Sequence, residues 1–397
     1  VMGDQSAMRE ANEKEIQDMQ TLLKECLSSG AIGLSTSFVD VDETLAPVPS
    51  RYADQRELNA LCKVLSESNK MLQVVHEFFD ADVTIARVDQ LADISLRHKI
   101  PTTLSPLFVN TENDLGVKRV MERVKEQFKR GARVWPQVQT RPIDISFCFE
   151  VPSLLFIRLP SWYKIMRFGS HSEIMEEFKD ENRRAKLVKE AAMLGPFWNS
   201  ITLRQVNSEE NKEFLGMSLD EIATKRETTP VDAMIDLSLE ENLQAHFLAE
   251  NMGHTDNEMI GALMSDPHVH IGASDGGAHI LSFSTYGDTG YLFSQFVRNS
   301  QAITLEDAVK KITLDTASIW GMKERGCLKK GFLADITIFE EDRIDRGHEY
   351  YTDDVPGDGH RYIRDAIGID TVIIGGSIAY RKGSYTNART GNIVSVG

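Results

Sequence analysis

Between residues 12 and 140 the chain alternates between segments with helical spacing and short apolar runs, and this alternation restricts the fold more than any other feature. Residues 12–29 read as an amphipathic helix with Asn12 as N-cap, Glu15 at the capping-box position and Gly30 as its stop. The apolar run 31–38 follows, and the spacing then predicts helices over 54–69, 83–98 and 114–130 and strands over 71–79, 100–109 and 132–140. The apolar runs lack a clean two-residue alternation, as expected of strands covered on both faces. Strand, helix and strand at this spacing imply a parallel α/β sheet with right-handed crossovers.

Farther along, residues 145–230 mix Pro, Trp, Phe and charge without a period and are expected to form helices in an excursion over one face of the sheet. A helix is expected over 229–250 and a further strand over 268–274. Thr304 opens another helix, with Asp307 as capping acid and Gly321 as its stop. From Cys327 onward, runs such as 331–340 and 369–383 are separated by turn glycines and read as a small β region.

Composition narrows the function classes. Sixty acidic against 44 basic residues give a net charge of −16, which repels nucleic acid and anionic membrane. No run is long and apolar enough for a membrane span; the charge suits a small-molecule substrate, and scattered single cysteines in a long chain suit a cytoplasmic setting. Cys26, Cys62, Cys148 and Cys327 stand at no metal-site spacing, and Cys26 and Cys62 read as reduced core filler.

The sharpest local motif is HVHIGASDGGAH (268–279). A strand ends at Ser274-Asp275, and carboxylates at the C-terminal ends of parallel strands point toward the catalytic mouth. Gly276 and Gly277 would let the backbone approach a ligand closely. The same residues read equally well as a cap followed by a turn. His76 in QVVHEFF also stands near a strand end, where a neutral imidazole could bind a divalent ion; alone in an apolar strand, such a histidine is more often a hydrogen-bonded structural one. Glu77 faces the opposite way. His268 and His270 form an HxH pair, but at ~3.3 Å per residue His270 lies about 16 Å from Asp275, which points to a structural role.

Taken together, VMGDQSA (1–7), SGAIGLSTS (29–37), the strand of His76, RVWPQVQTRP (133–142), DPHVHIGASDGGAH (266–279), the run from Thr304 to Glu340 and the hairpin VIIGGSIAYRKGSYTNARTG (372–391) resemble the amidohydrolase superfamily, and within it the D-aminoacylase branch. The resemblance implies a (β/α)₈ barrel over 1–325, followed over 326–397 by part of a small β-sandwich domain. Counted back from Asp275, strands near 35, 76, 105, 138 and 272 are the last five of the barrel, so the first three would precede Val1 together with the family's HxH metal pair. It implies one zinc ion, with His76 and Asp275 as ligands. Asp275 takes the role of proton carrier, and Ser274, Gly276 and His279 lie at the substrate. The substrate is expected to be an N-acyl (D-)amino acid or a related amide. The family's sixth strand ends in Ser-His, whereas this chain has Ser105-Pro106. A cyclic-amide hydrolase and a non-catalytic, metal-free binding relative are the alternatives. The former usually carries a strand lysine that 31–38 lacks.

Overall fold

A computed structural model describes residues 1–397 except 43–45, 79, 110–113, 273, 275–286, 358, 395 and 397. Its centre is a five-stranded parallel sheet. The chain runs α1 (Glu13–Ser28), β1 (Gly33–Ser37), α2 (Gln55–Glu67), β2 (Met71–Val75), α3 (Ala81–His98), β3 (Thr102–Ser105), α4 (Asp114–Lys129) and β4 (Val134–Val138). After a long excursion, α10 (Asn257–Ser265) leads to β8 (His270–Ile271), which completes the sheet in the order β1-β2-β3-β4-β8. Among the described residues β1 and β8 do not pair, so the sheet is open.

Local chemistry sets these boundaries. The Asn12 side chain accepts from the Glu15 amide while the Glu15 carboxylate accepts from the Asn12 amide, closing the expected capping box of α1. Gly30 takes φ +114° after the last turn, a conformation a side chain would resist. Leu72, Val74, Leu104, Val134 and Val138 are fully buried against the helices. The opposite face is polar: Gln73 Nε2 donates to Ser105 Oγ at 3.0 Å, Gln137 Nε2 donates to Thr103 Oγ1 at 3.0 Å, and Ser35 bonds to Gln73. A sheet apolar toward its helices and hydrogen-bonded on the other face is the wall of a barrel-type core.

The excursion contains β5 (Ile145–Phe147), α5 (Pro160–Phe168), α6 (His171–Lys179), α7 (Glu181–Ala191), β6 (Thr202–Gln205), α8 (Leu219–Arg226), α9 (Pro230–Glu240) and β7 (His246–Ala249). The helix expected over 229–250 is in fact α9 followed by β7. Ala245, Phe247, Leu248 and Ala249 are buried in an antiparallel β5-β7-β6 sheet, and tertiary pairing overrides the helical reading. The excursion has its own aromatic core, with Phe147, Phe149, Phe156, Trp162, Phe178 and Trp198 all at most 2% exposed. Its two ends are tied by Ile143 N–H to Gly253 O (3.1 Å) and Met252 N–H to Ile143 O (2.7 Å).

Beyond it come α10 (Asn257–Ser265), β8 (His270–Ile271), α11 (Asp288–Tyr291), α12 (Leu305–Lys310) and α13 (Thr316–Ile319), with a π-helical turn over 311–315 between the last two. Thr304 caps α12 by accepting from the Asp307 amide. The C-terminal β region holds β9 (Ile336–Phe339), the hairpin of β10 (Asp345–Val355) and β11 (Gly359–Ile367), then β12 (Ile369–Ile374), β13 (Ser377–Arg381) and β14 (Ser384–Tyr385), the sheet order being β14-β13-β12-β9. Cys62 is buried as expected, but Cys26 is exposed, because it lies on the solvent side of α1 while Ile16, Leu23 and Leu27 face inward.

Candidate functional site

The described residues just past the C-terminal ends of β2, β3, β4 and β8 lie at one end of the parallel sheet. His76 follows β2. Its amide donates to Ser105 O at 3.2 Å, which extends the ladder one step and puts its side chain on the face of Leu72 and Val74. The ring is fully buried. Nδ1 stands 3.0 Å from Glu77 O and Nε2 stands 3.0 Å from Pro106 O. A neutral imidazole has one N–H and can donate to one of these carbonyls only. Burial holds the ring below its ordinary pKa, against the pull of the two carbonyls. Binding an ion through either nitrogen requires a carbonyl to give way. Glu77 points elsewhere and pairs with Arg87 at 3.1 Å.

Ser274 lies at the end of the β8 segment and is exposed. Gly272 N–H donates to Val138 O at 3.0 Å, carrying the parallel pairing past Ile271. A side chain at Gly272 would push aside the Gln137 amide, which lies against it. Ser274 and His76 therefore sit at the same end of the sheet. Three strand spacings separate β2 from β8, about 14 Å in a flat sheet at ~4.8 Å each, so only curvature can bring groups at the two ends together. Asp275, Gly276 and His279 lie outside the described residues.

Two residues at this end were not singled out in the sequence. His254, 1% exposed and at φ +59°, accepts from Val109 N–H at Nδ1 (3.1 Å) and donates from Nε2 to Gln139 O (2.8 Å). Burial pushes its pKa down to about 4. Arg141, 3% exposed, sits just beyond β4; its Nε is 2.7 Å from Asp288 Oδ1, and its Nη2 donates to Ser274 O at 3.1 Å. Only QVQTRP hinted at it, through a charge placed directly after an apolar strand.

The HxH pair is engaged elsewhere. His268 Nδ1 is 2.9 Å from Asp266 Oδ1, and His270 Nε2 accepts from Trp320 Nε1 at 3.4 Å. Among the described residues no three His, Cys, Asp or Glu side chains stand together as an ion site. A zinc centre needs three or four donors, so the described residues do not by themselves fit one. No described helix is long and apolar enough to cross a membrane.

A parallel sheet with helices on one face and a polar opposite face defines a partial barrel of the β/α kind. Residues 202–380 match the model of the amidohydrolase family. An uncharacterized protein of Mycobacterium tuberculosis is 24% identical over 414 residues, covering 94% of this chain and 64% of the relative. The N-acyl-D-glutamate deacylase of Alcaligenes xylosoxydans xylosoxydans is 24% identical over 342 residues, covering 83% of this chain and 56% of that enzyme. The chain thus spans about two thirds or less of these relatives. The crystal structure of D-aminoacylase superposes with TM-score 0.61 at 20% identity, covering 100% of this chain and 69% of that one. N-acyl-D-glutamate deacylase from Bordetella bronchiseptica, complexed with zinc and a phosphonate inhibitor, gives 0.60 at 20% identity, covering 98% and 67%. Residues 202–380 are thus similar to the amidohydrolase family, and the chain has the fold seen in D-aminoacylase.

Proposed function

We propose that the full-length protein hydrolyses an amide C–N bond other than a peptide bond, as an N-acyl-D-amino-acid deacylase. The observation that carries this reading is the amidohydrolase match over residues 202–380, which spans the SDGGAH block. Ser274, the residue before Asp275, stands at the C-terminal end of the sheet, where such barrels do their chemistry. In this reading Asp275 accepts a proton from the attacking water and returns it to the leaving amine. Ser274, Gly276 and His279 lie against the acyl amino acid. Residues 1–325 are read as the barrel and 326–397 as the small β domain.

Zinc as cofactor rests on the relatives, one of which was solved with it. His76 and Asp275 are its proposed ligands in this chain. A second reading, a barrel that binds a ligand without hydrolysing it, is favoured by one observation: the carbonyl of Pro106 faces His76 Nε2 at 3.0 Å.

One experiment separates the two. Zinc content and hydrolysis of N-acetyl-D-amino acids, their L enantiomers and hydantoins are measured for the full-length protein and for Asp275→Asn. The proposal expects D-selective hydrolysis, lost by at least 10²-fold in the variant. Turnover of hydantoins alone would move the substrate class to cyclic amides. No turnover and no bound metal would leave the binding relative.

A further inference from the structure

Arg141 stands out because a buried guanidinium is costly unless paired and hydrogen-bonded, and here every partner belongs to the frame of the site. Its side chain is 4% exposed and its Nε lies 2.7 Å from Asp288 Oδ1, itself on a side chain only 12% exposed. Nη2 donates to the Ser274 carbonyl at 3.1 Å. Asp288 is held in turn, because Thr140 Oγ1 donates to its backbone carbonyl at 2.9 Å. The loop after β4, the start of α11 and the end of the β8 segment are thus bound to one another through a single planar fork.

From this geometry we infer that Arg141 is a positioning residue: by clamping the Ser274 carbonyl it fixes the residue that precedes Asp275. The inference rests on Asp275 being the proton carrier proposed above. Arg141 does not bind the carboxylate of an acyl amino acid, because its charge is already met by Asp288. Its five N–H donors in a rigid fork suit the task, and a lysine would supply the charge without the fork. Displacing a reacting group by about 1 Å costs on the order of 10²-fold in rate.

The test uses the full-length protein and the variants Arg141→Met, Arg141→Lys, Asp288→Asn and Asp275→Asn. Each is assayed on an N-acetyl-D-amino acid and on its uncharged carboxamide, and hydrogen exchange is followed in peptides spanning 270–280. The inference expects Arg141→Met to lower kcat by about 10–100-fold on both substrates, with KM little changed. Arg141→Lys and Asp288→Asn should move kcat the same way and by less. Exchange should speed up in 270–280 but not in β2 or β3. A rise in KM confined to the carboxylate substrate would make Arg141 a substrate ligand and overturn the inference, as would unchanged kcat with unchanged exchange. Should Arg141→Met fail to fold, the lysine and asparagine variants decide. An active Asp275→Asn would remove the proton-carrier reading, whereas an inactive one beside a fully active Arg141→Met would remove the clamp alone.

Discussion

Replacing His254 with Asn should change how the protein responds to acid in a way that can be calculated. The folded state holds His254 neutral, with a pKa lowered from 6.5 to about 4 by burial. In the unfolded chain it titrates near its ordinary value. Between pH 6.5 and pH 4 the unfolded state therefore carries a proton that the folded state lacks. Stability rises with pH wherever the unfolded state binds more protons, by about 1.4 kcal/mol per pH unit for one group. This stability is fully present above pH 6.5 and is lost as pH falls toward 4, roughly 3 kcal/mol in all. Asn tolerates the left-handed backbone at this position and does not titrate, but it cannot span from Val109 to Gln139 as the imidazole does. Near pH 8 the variant should be less stable by about 1–3 kcal/mol, the cost of an unmet buried amide. Urea midpoints from pH 8 to pH 4 should therefore start apart and converge as pH falls. His76 and His270 are also held below their ordinary pKa by burial, so the wild-type slope contains them too and the difference between the two proteins isolates His254. Parallel curves across this window would refute the claim that His254 is buried and neutral.

Other outcomes are as specific. Trp162 is fully buried, stacks on Phe156 with ring centroids 5.0 Å apart and donates to Leu187 O at 3.0 Å; Trp162→Ala should cost about 3–5 kcal/mol, read as a loss of tryptophan-fluorescence cooperativity on unfolding. Cys62 is buried, with its thiol pushed up to about 12, and Cys148 is buried with its thiol also raised, whereas Cys26 and Cys327 are exposed. Alkylation of the native protein at pH 8 should mark Cys26 and Cys327 and spare the other two, as peptide mass analysis will show.

The parallel sheet was readable because its helix-covered face needs apolar residues such as Leu72, Val74 and Leu104, and helices announce themselves through caps such as Asn12 and Thr304. Pairing across long separations was not readable. β7 is an apolar stretch directly after α9, and its partners β5 and β6 lie far away in the chain. The β10–β11 hairpin is charged along much of its length and interrupted by two register shifts, so it lacks the alternation that marks a strand. Cys26 looked like core because its neighbours on α1 are apolar, and only packing decides which side of a helix faces inward. At the candidate site, the strand-end position of His76 and Ser274 followed from spacing. The Pro106 carbonyl against His76, and the fork of Arg141 on Ser274, depend on how separate loops meet. An arginine in a motif ordinarily reads as surface.

The pair of backbone hydrogen bonds joining Ile143 to Met252 and Gly253 brings the two ends of the excursion together like a clasp, while His246 rests against Tyr351 and Tyr362 of the β10–β11 hairpin. To the parallel sheet, everything between those residues amounts to a tight turn. Selection can therefore lengthen, shorten or exchange the excursion without re-registering a single strand of the scaffold.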